Sequence, residues 1–380
     1  MQRTLDSEAE FILCRQQFFD SPLADAVLPW CFPGQSRAAV EEQAQALHST
    51  EDFQFAYVNP MLQRILAETS QGLSISGLEQ LATDRKYLFI SNHRCIVTDA
   101  ALVSLSLLAS GRGTCKVCVG DNLMATPGVS ELMLLLNGVV IKRSGSLREV
   151  YAKALDAATY LAQQIEEQRY SVWLSQSPGR TKDGNDHTDP AIIKMLGLAG
   201  KRSRETFLKL HIVPVAISYE YEPCASEKVR ETLLRQQHGA YQKTEGEDVR
   251  QIHASLVADK GHIHLAFGEE IQLPSSLHAP DATDVPDATD SDVVQQVVDC
   301  IDAQMERLYR NWDSNRVADA VLQDAAHGVD SAYAQAFLAK IAQQAAALGA
   351  MGLPVAAART ALLQLYARPL QNAAHKKPPV

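Results

Sequence analysis

The sequence has no long hydrophobic run and no excess of positive charge. Its longest uncharged stretch, Ile341–Ala358, is rich in Ala and Gly, contains Gln343 and Gln344, and has Pro354 inside. This stretch falls short of a bilayer-spanning helix. The net charge of −10 argues against a nucleic-acid partner and against simple electrostatic attachment to anionic lipid. We therefore expect a cytoplasmic protein, either free or peripheral at the cytoplasmic face of a membrane.

Motifs for metal binding are scarce. Among the seven cysteines, Cys115 and Cys118 have the spacing of half a zinc site, and no second such pair follows. Residues three apart in a strand face opposite sides, so two buried small side chains are the favoured interpretation. The turn-forming stretch 181–186 lacks the pattern of a calcium loop. We therefore expect neither a metal ion nor another cofactor.

The chain does contain a regular alternation of strand-like and helical segments. With 46% apolar residues over 380 positions, it can bury a substantial core. The strand-like runs are Tyr87–Ser91, Lys116–Gly120, Val139–Lys142, Ser171–Leu174, His211–Tyr219 and His262–Phe267. Helical stretches separate these runs, and Leu147–Arg169 is the longest of them. The alternation predicts an α/β fold with a central sheet covered by helices.

Composition divides the chain into four predicted regions. Residues 1–80 are expected to form an N-terminal helical region, since stretches such as Ala38–His48 have the apolar i, i+4 spacing of surface helices. The alternating segments occupy residues 81–273. An acidic Pro/Asp linker is predicted at 274–292, where APDATD and VPDATD form a near-repeat. A C-terminal helical region is predicted at 293–380.

The most informative segment is the polar run Asn92–Asp99, which follows the apolar run ending at Ser91. A strand, a turn and a helix in this order would place His93 at the edge of the sheet and Asp99 at the start of the helix. A carboxylate that holds one imidazole nitrogen fixes the tautomer and raises the basicity of the ring. The other nitrogen can then take a proton from a hydroxyl. This pair therefore predicts acid–base catalysis.

Two further segments suit an anionic substrate. Lys142 and Arg143 close one strand-like run, and Arg180 follows Gly179 in a loop after another. Guanidinium groups hold phosphate oxygens through paired, charge-assisted hydrogen bonds, and glycine lets the backbone approach closely. On these residues alone, two solvated loop ends are the simpler interpretation.

Four segments follow one another in a fixed order along the chain, namely NHRCIVTD (Asn92–Asp99), NGVVIKR (Asn137–Arg143), SQSPGRTKDG (Ser175–Gly184) and HIVPVAISYEYEP (His211–Pro223). Together they resemble the motifs of the glycerophosphate acyltransferase superfamily. Two positions depart from the usual family pattern. Five residues rather than four separate His93 from Asp99, so either a one-residue bulge restores the pairing or Asp99 is not the partner. In the third motif, Pro178 replaces the usual Glu.

The resemblance implies both a fold and an activity. The fold is a central mixed sheet covered by helices, with the acyltransferase domain at 81–273 and helical extensions on both sides. The activity is O-acyl transfer in phospholipid synthesis. A fatty acyl group would move from an acyl thioester (acyl-CoA or acyl carrier protein) to the hydroxyl of a glycerophosphate or a lysophospholipid such as 1-acylglycerol-3-phosphate.

The resemblance also implies roles for individual residues. His93 would be the general base and Asp99 would orient it. The substrate would be bound by Arg94, Lys142, Arg143, Gly179, Arg180 and Thr181. The shifted Asp99 and Pro178 leave two other functions open, namely a lipid-binding protein without turnover on the same fold and an N-acyltransferase for an amino-acid lipid.

Overall fold

A computed structural model describes residues 4–121, 124, 128–141, 145–244, 246–273, 290–325 and 331–375. The strands are β1 (Gly72–Ser76), β2 (Leu88–Ser91), β3 (Cys115–Gly120), β4 (Gly138–Ile141), β5 (Ser171–Ser175), β6 (Ile212–Tyr219) and β7 (His262–Phe267). The helices before β4 are α1 (Glu8–Phe19), α2 (Pro22–Cys31), α3 (Arg37–Gln45), α4 (Thr50–Phe53), α5 (Asn59–Thr69), α6 (Thr98–Ala109) and α7 (Val129–Leu135). A π-helical turn, Gln54–Val58, joins α4 to α5.

The later helices cover the sheet and extend beyond it. They are α8 (Leu147–Glu166), α9 (Pro190–Leu196), α10 (Arg204–Lys209), α11 (Ala225–His238), α12 (Glu247–Val257), α13 (Asp290–Leu308), α14 (Asp313–Leu322), α15 (Ala332–Ala350) and α16 (Val355–His375). The uncharged run at 341–358 is divided between α15 and α16. Among the described residues, no helix combines the length and the apolar character needed to cross a membrane.

The strands of the described chain form one mixed sheet. Their order is β1, β7, β6, β2, β5, β3, β4. The five strands from β6 to β4 in this order are parallel to one another, whereas β7 is antiparallel to β6 and parallel to β1. All residues of the central strand β2 are buried, as expected for a parallel strand covered on both faces. The predicted fold class is thereby confirmed.

Alternate residues of β2 pack into two different layers. Phe89 belongs to a core formed with the N-terminal helices and α6. Leu88 and Ile90 belong to a second core formed with helices α8, α9 and α13. This division follows from the strand geometry, in which successive side chains point to opposite faces. A third core joins α11 to the C-terminal helices α14–α16.

The parallel strands bring two of the sequence motifs to one edge. Ser91, the last residue of β2, is paired with Ser175 of β5 and with Val215 of β6. His93 follows β2, and the third motif follows β5, so both lie beyond the carboxyl ends of neighbouring strands. In open α/β sheets, ligands bind in the crevice outside these strand ends.

Strand β1 was not predicted, since Gly72–Ser76 falls in the region expected to be helical. Its side chains are exposed or half-buried, so the segment lacks a clear apolar pattern. Pairing with the distant strand β7 holds it in place, and no local sequence signal reports such a contact. The predicted linker at 274–292 lies outside the described residues except for Asp290–Asp292, which already belong to α13. The division into four regions stays a prediction.

Candidate active site

The structure places His93 and Asp99 in direct contact. His93 lies in the loop after β2, and Asp99 lies in the first turn of α6. The distance from His93 Nδ1 to Asp99 Oδ2 is 2.9 Å. The loop therefore accommodates the additional residue between them. Because the carboxylate oxygen can only accept, Nδ1 donates the hydrogen and Nε2 is left to act as a base.

The carboxylate of Asp99 is surrounded by donors. Its Oδ2 also accepts hydrogen bonds from the backbone N–H groups of Arg94 (2.6 Å) and Cys95 (2.8 Å). Its Oδ1 accepts one from the hydroxyl of Tyr219 at 2.8 Å. Burial, with the nearby Asp99 charge, raises the pKa of Tyr219, which keeps this hydroxyl protonated as a donor. Four donors and the N-terminus of α6 suit the charged, acceptor-only form of this buried group.

The loop that carries His93 is anchored on both sides. The amide of Asn92 pairs with the backbone of Ile217 in β6, accepting from its N–H at 2.8 Å and donating to its carbonyl oxygen at 3.0 Å. The backbone N–H of Thr181 donates to the carbonyl oxygen of His93 at 2.9 Å. Trp173 packs edge-on to the imidazole, with ring centres 5.8 Å apart. The base is therefore held in place by both neighbouring strands.

A cavity of about 400 Å³ opens beside His93. Much of its wall is apolar and is formed largely by one face of α6 together with β3 and α7. This wall includes Ile96, Val97, Ala100, Ala101, Leu105, Val117, Val119, Met133 and Leu136. Its polar part includes the cations Arg180, Lys182, Arg235 and Lys243. The cavity thus joins a base, an apolar wall suited to a hydrocarbon chain, and cations suited to an anionic group.

The third motif contributes directly to the basic part of this cavity. Pro178, Gly179 and Arg180 all line it. The backbone of Gly179 has φ +89°, a conformation that favours glycine. Arg180 is largely buried, and its Nη2 donates to Gln251. Its Nη1 is buried and has no hydrogen-bond partner among the described residues.

A carboxylate reaches the basic part of the cavity from a different helix. Glu231 of α11 lies 2.7 Å from Lys182 and 2.8 Å from Arg235, measured between oxygen and nitrogen. Burial, with the nearby Arg180 charge, lowers the pKa of Lys182 to about 8, although Glu231 acts in the opposite direction. The side chain of Pro178 supplies no charge, so Glu231 is the acidic group beside these cations.

The structure places Arg94 and Thr181 in the scaffold of the site rather than on the cavity wall. Arg94 is buried and pairs with Asp186 and, at 3.2 Å, with Glu222. The hydroxyl of Thr181 donates to the same Asp186. These contacts tie the loop after β2 to the loop after β5. Neither residue lines the cavity, and their predicted contact with the substrate stays a prediction. Lys142 and Arg143 are outside the described residues.

Residues of the site that sequence reasoning missed come from distant segments. Tyr219 lies within the fourth motif, where it is the last residue of β6. Glu231 and Gln54 line the cavity, but their sequence neighbourhoods look like ordinary helix surface. Only the folded chain brings them to His93.

Neither cysteine spacing nor histidine spacing marks a metal centre in the described part of the chain. Within it, no group of three or more His, Cys, Asp or Glu side chains is placed to hold a metal ion. Cys115 and Cys118 lie on β3, neither is in a disulfide, and they pack into different cores. This is the arrangement expected of strand residues that face opposite sides.

The site thus places a carboxylate-held imidazole beside a cavity that has both an apolar wall and cations. Residues 72–218, from β1 into β6, match the family described as Acyltransferase. These residues therefore form an acyltransferase domain, and over this part of the chain the acyltransferase resemblance and enzyme class predicted from the motifs are confirmed.

Two other comparisons add little to this assignment. None of the curated proteins compared with the chain matches it. Among solved structures, the 1-acyl-sn-glycerophosphate (LPA) acyltransferase PlsC from Thermotoga maritima is similar over 77% of this chain and 95% of that chain. The identity is 14% and the TM-score is 0.32. A score this low does not establish a shared architecture, so the assignment rests on the family match and the site.

Proposed function

We propose that this acyltransferase moves a fatty acyl group from an acyl thioester to the hydroxyl of a glycerophosphate or lysophospholipid such as 1-acylglycerol-3-phosphate. The donor would be acyl-CoA or acyl carrier protein, and the reaction would serve phospholipid synthesis. One observation supports this proposal most strongly. A single cavity is lined by the carboxylate-oriented His93, by an apolar wall and by the cations Arg180 and Lys182.

The proposed reaction begins with proton transfer to His93. The Nε2 atom takes the proton of the acceptor hydroxyl as its oxygen attacks the thioester carbonyl carbon. The resulting tetrahedral intermediate collapses, the carbon–sulfur bond breaks, and the thiolate takes the proton back from the imidazolium. Asp99 holds the ring in one tautomer and stabilises its positive charge in the intermediate state. Atoms and charge balance without an acyl-enzyme.

The acceptor phosphate is assigned to Arg180 and Lys182. Replacing Arg180 by Ala should raise the Michaelis constant for the acceptor by about tenfold or more, because hydrogen bonds to charged groups contribute about 1.5–3 kcal/mol. The Michaelis constant for the thioester should change little. Steady-state kinetics with each substrate varied in turn measures both values.

A matched control for this variant is Arg316→Ala, which removes the same charge from an exposed position on α14. This control should leave both Michaelis constants unchanged. An effect of Arg180→Ala that is confined to the thioester, or an effect no larger than that of the control, would show that Arg180 does not bind the acceptor.

The lowered pKa of Lys182 predicts a pH dependence. Below about pH 8 this side chain is charged and attracts the acceptor phosphate, and above that value it loses its proton. We therefore expect kcat/KM for the acceptor to fall as the pH rises through about 8. In Lys182→Arg the cation persists to higher pH, so the fall should move upwards. If kcat/KM falls over the same pH range in the wild type and in Lys182→Arg, the fall is caused by the titration of another group.

Peripheral contact with a membrane is part of the proposal, since a lysophospholipid acceptor resides there. Helix α8 exposes Leu147 (91%), Tyr151 (57%) and Leu155 (37%) at four-residue spacing. Such spacing places the three side chains on one stripe of the helix. An exposed apolar stripe of this kind suits contact with the lipid interface.

The proposed function is tested by a product assay. The purified chain is given acyl-CoA or acyl carrier protein thioesters with a panel of acceptors, and lipid products are identified by mass spectrometry. The panel contains glycerol phosphate, 1-acylglycerol-3-phosphate, a phosphate-free monoacylglycerol and an amine acceptor. We expect an ester on a phosphate-bearing acceptor. A product only on the amine, or only on the phosphate-free alcohol, would overturn the proposed acceptor class.

A further inference from the structure

The cavity beside His93 contains a polar group within its largely apolar wall. Gln54, on the π-helical turn, and Ser104, on α6, both line the cavity. The Ser104 hydroxyl lies 2.8 Å from Gln54 Oε1 and 2.7 Å from the hydroxyl of Thr114, which also donates to Gln54. All three side chains are buried. The mechanism proposed above uses none of them.

One end of the Gln54 amide has no partner. Both hydroxyls contact Oε1, and the buried Nε2 has no hydrogen-bond partner among the described residues. Turning the amide over would exchange the two ends and leave Oε1 without a partner instead. A buried polar atom without a partner is unfavourable. Gln54 also lies on a π-helical turn. Such turns are rare in proteins, and those that occur are often found at functional sites.

The position of this group along the cavity can be estimated from α6. Val97, Ala100, Ala101, Ser104 and Leu105 share its cavity face. Ser104 comes five residues after Asp99, which is about 7.5 Å along the helix axis at ~1.5 Å per residue. Ser104 therefore lies on the apolar wall of the cavity, away from the first turn of α6 that carries Asp99.

We propose that the acyl group this enzyme transfers carries a hydroxyl within its chain, and that Gln54 and Ser104 bind this hydroxyl. The inference rests on the proposed acyl transfer and specifies its donor. A hydroxyl both donates and accepts, so it satisfies the free end of the Gln54 amide in either orientation. A saturated chain at the same depth covers the amide and leaves that end unpaired.

The test compares acyl-CoA thioesters of equal length, one saturated and the others with a hydroxyl moved stepwise along the chain. With wild-type enzyme, kcat/KM should be about tenfold higher for a hydroxyl at one position along the chain than for the saturated chain, because leaving a buried polar group without a hydrogen bond costs roughly this factor. In Gln54→Leu, which has a similar size and no polar end, the preference should disappear or reverse.

The ratio of the two donors within one preparation does not depend on the fraction of folded enzyme, so a loss of stability in Gln54→Leu would not obscure the result. Ser104→Ala removes the second contact and should weaken the preference partly. The inference is overturned if kcat/KM for the saturated chain equals that for every hydroxylated chain. That is the result expected if water fills the site. It is also overturned if Gln54→Leu keeps the wild-type preference. In both cases, transfer of saturated chains would leave the proposed function intact, whereas absence of any transfer would reject both.

Discussion

Replacing His93 by Ala is expected to lower turnover by roughly 10²–10⁴-fold, since a positioned general base contributes about this factor. The variant removes the only group of the catalytic pair that reaches the cavity wall. It leaves Asp99 with its bonds from two backbone N–H groups and from Tyr219. The fold should therefore persist, with a melting temperature close to that of the wild type. Turnover is measured with saturating thioester and acceptor.

The matched control is His48→Ala, which removes an exposed imidazole that pairs with Glu8 far from the cavity. Its turnover should equal that of the wild type. A loss of less than tenfold in His93→Ala would reject the general-base role. If the variant unfolds, the role of His93 is structural instead.

Replacing Asp99 by Asn is expected to cut turnover by about 10²-fold or more while leaving the loop in place. The remaining amide oxygen can still accept from the backbone of Arg94 and Cys95, and the new NH₂ group can donate to the Tyr219 hydroxyl. The geometry is thus kept and the negative charge is lost. Without that charge, the imidazolium formed during the reaction is less stable.

Thr98→Ala is the comparison that isolates the carboxylate. Thr98 occupies the usual family position of the Asp, and its hydroxyl contacts Tyr219 at 2.7 Å rather than His93. We expect a small change in turnover, because the bond between Asp99 and His93 remains. Equal losses in the two variants, or a larger loss in Thr98→Ala, would contradict the assignment of Asp99 as the partner of His93.

The architecture was predictable where the sequence pattern and the packing agree. Buried parallel strands such as β2 and β5 consist largely of consecutive apolar residues, so the sequence of each strand is enough to predict it. Strand β1 carries no such signal, because its place depends on pairing with β7. Local patterns therefore identify elements that bury their own apolar residues, and they miss elements held by long-range pairing.

The site was predictable to a similar extent. The proximity of His93 and Asp99 follows from a strand, a turn and a helix in sequence, although the sequence alone left the effect of the additional residue open. The position of Arg94 could not be foreseen, because its partners Asp186 and Glu222 reach it from other loops. Gln54 lies on a π-helical turn, and no spacing in the sequence indicates its contact with α6.

The central claim is that His93 activates an acceptor hydroxyl for direct attack on a thioester. The most direct test measures thiol release and lipid ester formation in the same reaction, with and without a phosphate-bearing acceptor. The account predicts one thiol for each ester, and thiol release only when the acceptor is present. A stoichiometric burst of thiol without acceptor, or steady thiol release without any ester, would contradict it.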